Sequence, residues 1–229
     1  MIAENLLFVK QRIDGICRKL NRNPADVKLI AVSKNFGIDA INQAIQAGQI
    51  DFGENRAQEL VAKFGVLGNR VTWHFIGTLQ KNKVKYAVKT SDYIHSVDSL
   101  SLAEEIQTQA AKIGKKQKIL IEVKTSEEAT KSGVTEKTDV ETIVKFCSQA
   151  SNLELLGLMT IAPFTDDKNL IRKSFNDLRK LKEELNSKGH GLKELSMGMT
   201  SDFEIAIEEG ATMVRIGSAI FGERIYHKD

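Results

Sequence analysis

Lys34 closes the otherwise apolar run Lys28–Lys34 (KLIAVSK), so an amine stands where a buried segment meets solvent. Desolvation or a nearby cation lowers a lysine's pKa and frees the amine to attack an aldehyde. A lone lysine at a strand end can equally snorkel into water. Near the other end of the chain are two loops rich in glycine and hydroxyls, Ser196-Met197-Gly198-Met199-Thr200-Ser201 and Gly217-Ser218-Ala219. Glycine lets backbone N–H groups approach an anion, hydroxyls add donors, and a helix start adds a favourable dipole. The same residues are ordinary turn formers. Just before the second loop stands Arg215, which carries donors only and stays charged.

Eight β-rich runs are arranged to hold these groups: Lys28–Lys34, Asp51–Asn55, Thr72–Gly77, Tyr93–Asp98, Lys118–Thr125, Leu153–Ala162, Leu192–Met197 and Thr212–Ser218. Between them lie helical periods. Leu102, Ile106, Ala110 and Ile113 recur at spacings of four, four and three after the N-cap candidate Ser99. Phe175, Leu178, Leu181 and Leu185 recur at spacings of three, three and four before Gly189, and Gly114 marks the earlier stop. Strands alternating with helices imply a parallel sheet with right-handed crossovers. Eight such units predict an α/β fold, a (β/α)8 TIM barrel, and the Gly-x-Gly-x-x-Gly turn of an open dinucleotide-binding sheet is absent. An additional N-terminal helix is expected from Ile2, Leu6, Val9, Ile13, Ile16 and Leu20, with Cys17 at the flank of the stripe. No linker or repeat interrupts residues 1–229, which read as one domain.

A parallel barrel gathers its site at the C-terminal ends of its strands, and phosphate is often held by the loops after strands seven and eight. A phosphate cradle at one end of the mouth and a reactive amine at the other describe a receptor for pyridoxal 5′-phosphate (PLP). An arginine beside the pyridine nitrogen requires that nitrogen to be an unprotonated acceptor, which weakens the ring as an electron sink. On position alone Arg215 could instead form an ion pair inside the barrel with Glu122.

The formal charge of +3 is spread evenly over the chain, which argues against a nucleic-acid partner. The densest basic stretch, Lys81, Lys83, Lys85 and Lys89, reads as a solvated helix face. Cys17 and Cys147 have no partner at metal-ligand spacing, so no metal site is expected. The charged, amphipathic start is unlike a signal peptide and no run has the length of a membrane span, so the cytoplasm is the expected compartment.

Longer motifs add a resemblance. Ala31-Val32-Ser33-Lys34, Phe52-Gly53-Glu54-Asn55, the stretch 73–83 (WHFIGTLQKNK), Gly157-Leu158-Met159-Thr160, the stretch 195–203 (LSMGMTSDF) and the stretch 214–222 (VRIGSAIFG) together strongly resemble the PLP homeostasis proteins, the YggS/PROSC family. That family is similar in fold to the N-terminal barrel of alanine racemase, fold type III. The resemblance spans nearly the whole chain. It implies that Lys34 carries the cofactor as a Schiff base and that Arg215 faces the pyridine nitrogen. It further implies that Ser196, Gly198, Thr200, Gly217 and Ser218 cradle the phosphate, Ser196 and the Gly217-Ser218 pair foremost. Asn55 resembles the residue beside the ring and hydroxyl, and His74 and Met159 resemble wall residues, although His74 could also be a packed core histidine.

The implied role is a carrier or regulator in PLP homeostasis, with no catalytic residue assigned and PLP-dependent apo-enzymes as conceivable partners. A racemase of this fold type uses a second base, a tyrosine from a further domain of its partner subunit. The sequence ends at Asp229 without such a domain, and Tyr86, Tyr93 and Tyr226 all lie away from predicted strand C-termini, so a monomer is expected. A minimal PLP-dependent amino-acid racemase is the alternative. A PLP-independent sugar-phosphate enzyme would leave the combination of Lys34 and Arg215 unexplained.

Overall fold

Apolar residues on successive strand positions need cover on both faces, and a closed ring of parallel strands inside a ring of helices gives it. The computed structural model describes residues 1–126, 128 and 132–222. Its strands are β1 (Lys28–Val32), β2 (Asp51–Glu54), β3 (Thr72–Phe75), β4 (Tyr93–Val97), β5 (Gln117–Glu122), β6 (Leu153–Met159), β7 (Glu194–Ser196) and β8 (Met213–Ile216). Each pairs in parallel with the next, and β8 closes on β1 with Ile30 opposite Arg215. The expected barrel is therefore the observed one.

The ladders are shorter than the apolar runs that announce them. At the end of β1, Ser33 still donates its N–H to Gly53 O, but Phe36 N–H then turns back to Ser33 O. Asn35 takes φ +67° in that turn, a left-handed conformation that asparagine tolerates. The residues dropped from the strand ends thus form the loops of the C-terminal mouth, where a site belongs.

The helices are α1 (Ile2–Lys19), α2 (Ile38–Gln46), α3 (Ala57–Leu67), α4 (Val84–Thr90), α5 (Leu100–Lys112), α6 (Lys137–Gln149), α7 (Lys168–Ser187), α8 (Phe203–Glu208) and α9 (Ser218–Phe221). Ser99 caps α5 by accepting from Leu102 N–H, and Gly114 and Gly189 follow their helices at positive φ. Leu102, Ile106 and Ala110 are buried, but Ile113 is 54% exposed because α5 has ended before it. In α1 the buried stripe is Leu6, Val9, Ile13 and Cys17, while Leu20 is 39% exposed. Cys17 therefore lies at the centre of the buried face and not at its flank.

The physical reason is what α1 packs against. Asn5 Nδ2 donates to Ile220 O of α9, and Arg12 binds Glu204 of α8. Just beyond α1, Arg22 donates to Ile207 O and Ala211 O, both at 2.8 Å. The N-terminal segment thus clasps the last elements of the barrel. Lys81, Lys85 and Lys89 are exposed on the turn and helix after β3, as a solvated face requires. Burial pushes the Cys147 thiol up to about 12, which leaves it protonated and inert.

Most of the core lies between helices and strands. A smaller cluster of Ile30, Tyr93, Leu120, Met159 and Met213 fills the barrel interior. Gly157 in β6 lets that strand lie close to β7, since a Cβ there would sit 1.9 Å from Glu194 O. Gly157→Ala should therefore cost about 3 kcal/mol, because a backbone carbonyl cannot move aside without breaking the ladder. Gly15→Ala, in α1 with open space around it, should instead gain about 1 kcal/mol. Urea midpoints of the two variants, moving in opposite directions from wild type, would check both.

Candidate functional site

The loop that carries Lys34 is fixed from beneath. Ser33 Oγ donates to Glu54 Oε1 at 2.6 Å. The buried ammonium of Lys63 on α3 donates to Ser33 O, Glu54 Oε1 and Glu59 Oε1 at 2.7–2.8 Å. Glu59 Oε1 also accepts from Asn35 N–H at 2.6 Å. The backbone on both sides of Lys34 is thereby tied to one buried ion cluster. The next residue but one, Phe36, stacks on Phe221 of α9 with ring centroids 5.0 Å apart.

Across the barrel, Arg215 is 4% exposed. Its NH1 donates to Ser196 Oγ at 2.6 Å and its NH2 to Thr160 O at 2.9 Å. Glu122 stands near it without an ion-pair contact among the described residues. Burial pulls Arg215 down to about 10, so it remains a cation at neutral pH. Burial pushes Glu122 up to about 7, with the nearby Arg215 opposing that rise. The loops after β7 and β8 meet where Gly217 N–H donates to Thr200 Oγ1 at 3.3 Å. There α9 opens at Ser218, and the first N–H groups of a helix have no intrahelical acceptor.

These groups face one cavity of about 700 Å³, a size suited to a small cofactor. Of the residues singled out in the sequence, Lys34, Asn55, Thr200, Arg215, Gly217 and Ser218 lie in its wall. His74, Met159, Ser196 and Gly198 do not. His74 is buried inside the barrel, with Nε2 2.9 Å from Asp51 Oδ1, Nδ1 2.9 Å from His95 Nε2, and its ring stacked on Tyr93. Met159 belongs to the apolar cluster of the interior. Ser196 is wholly buried, and its hydroxyl accepts from the Arg215 guanidinium. Gly198, at φ +94°, is a packing glycine, because a Cβ would lie 2.6 Å from that of Ala206 on α8. Tyr93 starts β4 inside the barrel, Tyr86 is on the outer face of α4, and Tyr226 lies outside the described residues.

Sequence reading missed other wall residues. Ser201 and Gly77 were visible only within longer motifs, and Glu122 only as a partner for Arg215. Gly77 is glycine because a Cβ would strike Asn55 O at 2.3 Å, so the loop after β3 lies directly on Asn55. His95 carries a usable signal: in YIHSV it shares the inward parity of Tyr93.

The wall's donor set is an amine, a guanidinium, hydroxyls at the loops after β7 and β8, and backbone N–H groups at a helix start. That set fits a ligand with an anionic group, an electrophilic carbonyl and an acceptor nitrogen. Among the described residues there is no cluster of His, Cys, Asp or Glu able to hold a metal ion, and no helix is long and apolar enough to cross a membrane.

Comparison with known proteins gives consistent matches. Residues 8–225 match the family model of the alanine racemase N-terminal domain. The pyridoxal phosphate homeostasis protein of Aquifex aeolicus is 42% identical over 98% of this chain and 99% of its own. That of Haemophilus influenzae is 40% identical, covering 98% and 97%. Among solved structures, PipY of Synechococcus elongatus with PLP bound superposes with a TM-score of 0.84 at 38% identity, covering 97% of this chain and 100% of that one. Alanine racemase from Corynebacterium glutamicum, at 18% identity and TM-score 0.74, shares the fold; this chain covers 59% of it.

The elevated Glu122 gives a pH dependence. Its folded pKa of about 7 exceeds the ordinary 4.5, so within that interval the native state keeps a proton that the unfolded chain has lost. Stability therefore falls as pH rises from 4.5 through 7, by up to roughly 3 kcal/mol. Glu122→Gln should remove this decline. Urea denaturation of both proteins without ligand at pH 5 and pH 8 would show it: the variant's advantage should grow with pH.

Proposed function

Since this chain belongs to the pyridoxal phosphate homeostasis proteins, we propose that it holds PLP in the cavity at the C-terminal mouth and acts as a carrier or regulator of PLP supply. One observation carries the reading. Lys34 and Arg215, far apart in sequence, share a wall with the hydroxyl and glycine loops after β7 and β8. The cofactor, when bound, supplies an aldehyde that condenses with a primary amine and releases water.

Lys34 provides that amine from a loop whose backbone is pinned on both sides by the Lys63 cluster. Thr200, Ser201 and Ser218 offer hydroxyls, and the start of α9 offers backbone N–H groups, to the phosphate. Arg215 commits two of its five donors to Ser196 and Thr160, which fixes the plane of the guanidinium and leaves others for an acceptor in the cavity. Asn55 lines the same cavity from the end of β2, against Gly77.

The same placement favours a carrier over a two-base enzyme. Among the described residues, the titratable side chains in the wall are Lys34, Glu122 and Arg215, and neither Tyr86 nor Tyr93 reaches it. Of these, a proton exchange needing two bases would have to recruit Glu122. The reading extends to PLP-dependent apo-enzymes as recipients and to a monomer working in the cytoplasm.

Purified protein mixed with PLP should develop a visible absorption band that Lys34→Ala lacks. Wild type without a band would refute PLP binding, and a band surviving in the variant would move the anchor to another lysine. With an L-amino acid in deuterium oxide, exchange at Cα should stay at the solvent background. Exchange that depends on both Lys34 and Glu122 would establish the racemase instead.

A further inference from the structure

Beneath the cavity, five polar side chains from five strands touch in sequence along the barrel interior. Arg215 NH1 lies 2.6 Å from Ser196 Oγ, and Ser196 Oγ lies 2.9 Å from His95 Nδ1. His95 Nε2 lies 2.9 Å from His74 Nδ1, and His74 Nε2 lies 2.9 Å from Asp51 Oδ1. The two imidazoles and the hydroxyl are wholly buried. Asp51, at the start of β2, is partly exposed and has Lys28 Nζ 3.4 Å away. Lys28 and Asp51 also line a second cavity of about 380 Å³ at the N-terminal ends of β1 and β2. The column therefore joins the two ends of the barrel.

Its protons can be assigned from the ends inward. Arginine only donates, so Ser196 Oγ accepts from it and still has one proton and one lone pair to offer His95 Nδ1. At the far end the Asp51 carboxylate, held low by His74 and Lys28 against its burial, accepts from His74 Nε2–H. A neutral His74 then presents a bare Nδ1, which accepts from His95 Nε2–H and leaves His95 Nδ1 bare for the serine. The Asp51 end thus fixes the direction, and the serine proton completes it. The opposite tautomers would set the bare Nε2 of His74 against a carboxylate oxygen, lone pair to lone pair. Burial lowers both histidines from their ordinary values, and for His95 the charges of Arg215 and Lys28 act in the same direction. The titratable groups facing the pair from the surrounding strands are Lys28, Asp51, Asp92, Tyr93 and Arg215, with Lys118 over the Tyr93 ring.

Packing alone does not call for this arrangement. The interior of a parallel barrel is ordinarily filled by branched apolar side chains, and buried polar groups can often be replaced by them without loss of stability. We propose that Asp51, His74, His95 and Ser196 are positioning residues: a one-directional hydrogen-bond column, Arg215 to Ser196 to His95 to His74 to Asp51, that orients the Arg215 guanidinium and couples it to the carboxylate at the opposite mouth. Each bond polarises the next, so loss of the terminal anion is felt at Arg215. The consequence for PLP rests on the function proposed above, whereas the column itself does not.

Both parts can be measured. In ligand-free protein with ¹⁵N-labelled histidine, long-range ¹H–¹⁵N spectra should show His74 and His95 as Nε2–H tautomers with bare Nδ1, unchanged from pH 7 to 8. A protonated Nδ1 on either ring, or a titration of either in that range, would overturn the column. Asp51→Asn, nearly isosteric and partly exposed, keeps an acceptor but removes the charge. It should shift the Arg215 Nε–H resonance in ligand-free protein and weaken PLP binding about fivefold, the worth of about one hydrogen bond. An unmoved Arg215 resonance would overturn the coupling whether or not PLP binds. Asp51→Glu should restore the wild-type position. If wild-type protein fails to bind PLP but the tautomers and the Arg215 shift are as stated, the function falls and the column stands.

Discussion

A guanidinium drawn almost wholly into a parallel barrel must be met by protein acceptors, because little water reaches it to replace them. Arg215 is in that position, and much of the chain's inner architecture answers to it. Thr160 contributes a carbonyl from the end of β6, Ser196 a hydroxyl from β7, and Glu122 a neighbouring carboxyl from β5. The two histidines follow because Ser196, once it accepts from arginine, needs somewhere to send its own proton. An apolar plug of Ile30, Leu120, Met159 and Met213 shares the interior with the polar column. The inside of this barrel is thus divided between packing and charge management.

The amine end of the site is built on the opposite principle. Lys34 reaches a cavity, and the charge that is buried belongs to its neighbour on α3, Lys63. That ammonium is held by two carboxylates and a backbone carbonyl, an arrangement in which removing the lysine would leave two carboxyl groups without their cation. A rigid base under a side chain with four rotatable carbons lets the amine move while its root stays fixed. Such a combination suits a group that must form and release a bond to an incoming ligand more than one that must abstract a proton along a single line.

The barrel was legible in the sequence because strand and helix periods differ and because eight apolar runs alternated with helical ones. That Lys34, Arg215 and the loop Gly217-Ser218 share one cavity wall was legible because glycine, hydroxyl and charge stood at strand ends. What could not be read was height along the barrel axis. Strands in a closed barrel are tilted and staggered, so residues that end different strands do not lie in one plane. Ser196 ends β7 yet lies below Arg215, whereas Thr200, four residues later, reaches the cavity. His74 was ambiguous for the same reason, since inward parity does not say how deep a side chain sits. His95 lies within β4 and not at a strand end, and its contacts to His74 and Ser196 arise only from the juxtaposition of β3, β4 and β7. Cys17 shifted from the flank of α1 to its centre because α8 and α9 decide which face is covered.

The pairing of β8 with β1 has a consequence for how the protein comes to exist. Lys34 leaves the ribosome before strands β2 to β8, and Gly217 and Ser218 only after all of them. Until then β1 lacks one of its two neighbours, and α1, whose Asn5 and Arg12 reach α9 and α8, has nothing to clasp. A nascent or truncated chain therefore exposes the lysine without the loops that would hold a ligand against it. The cavity arises only with ring closure, a long-range contact of the slow-forming kind, so possession of a complete site certifies that translation has run through the eighth strand.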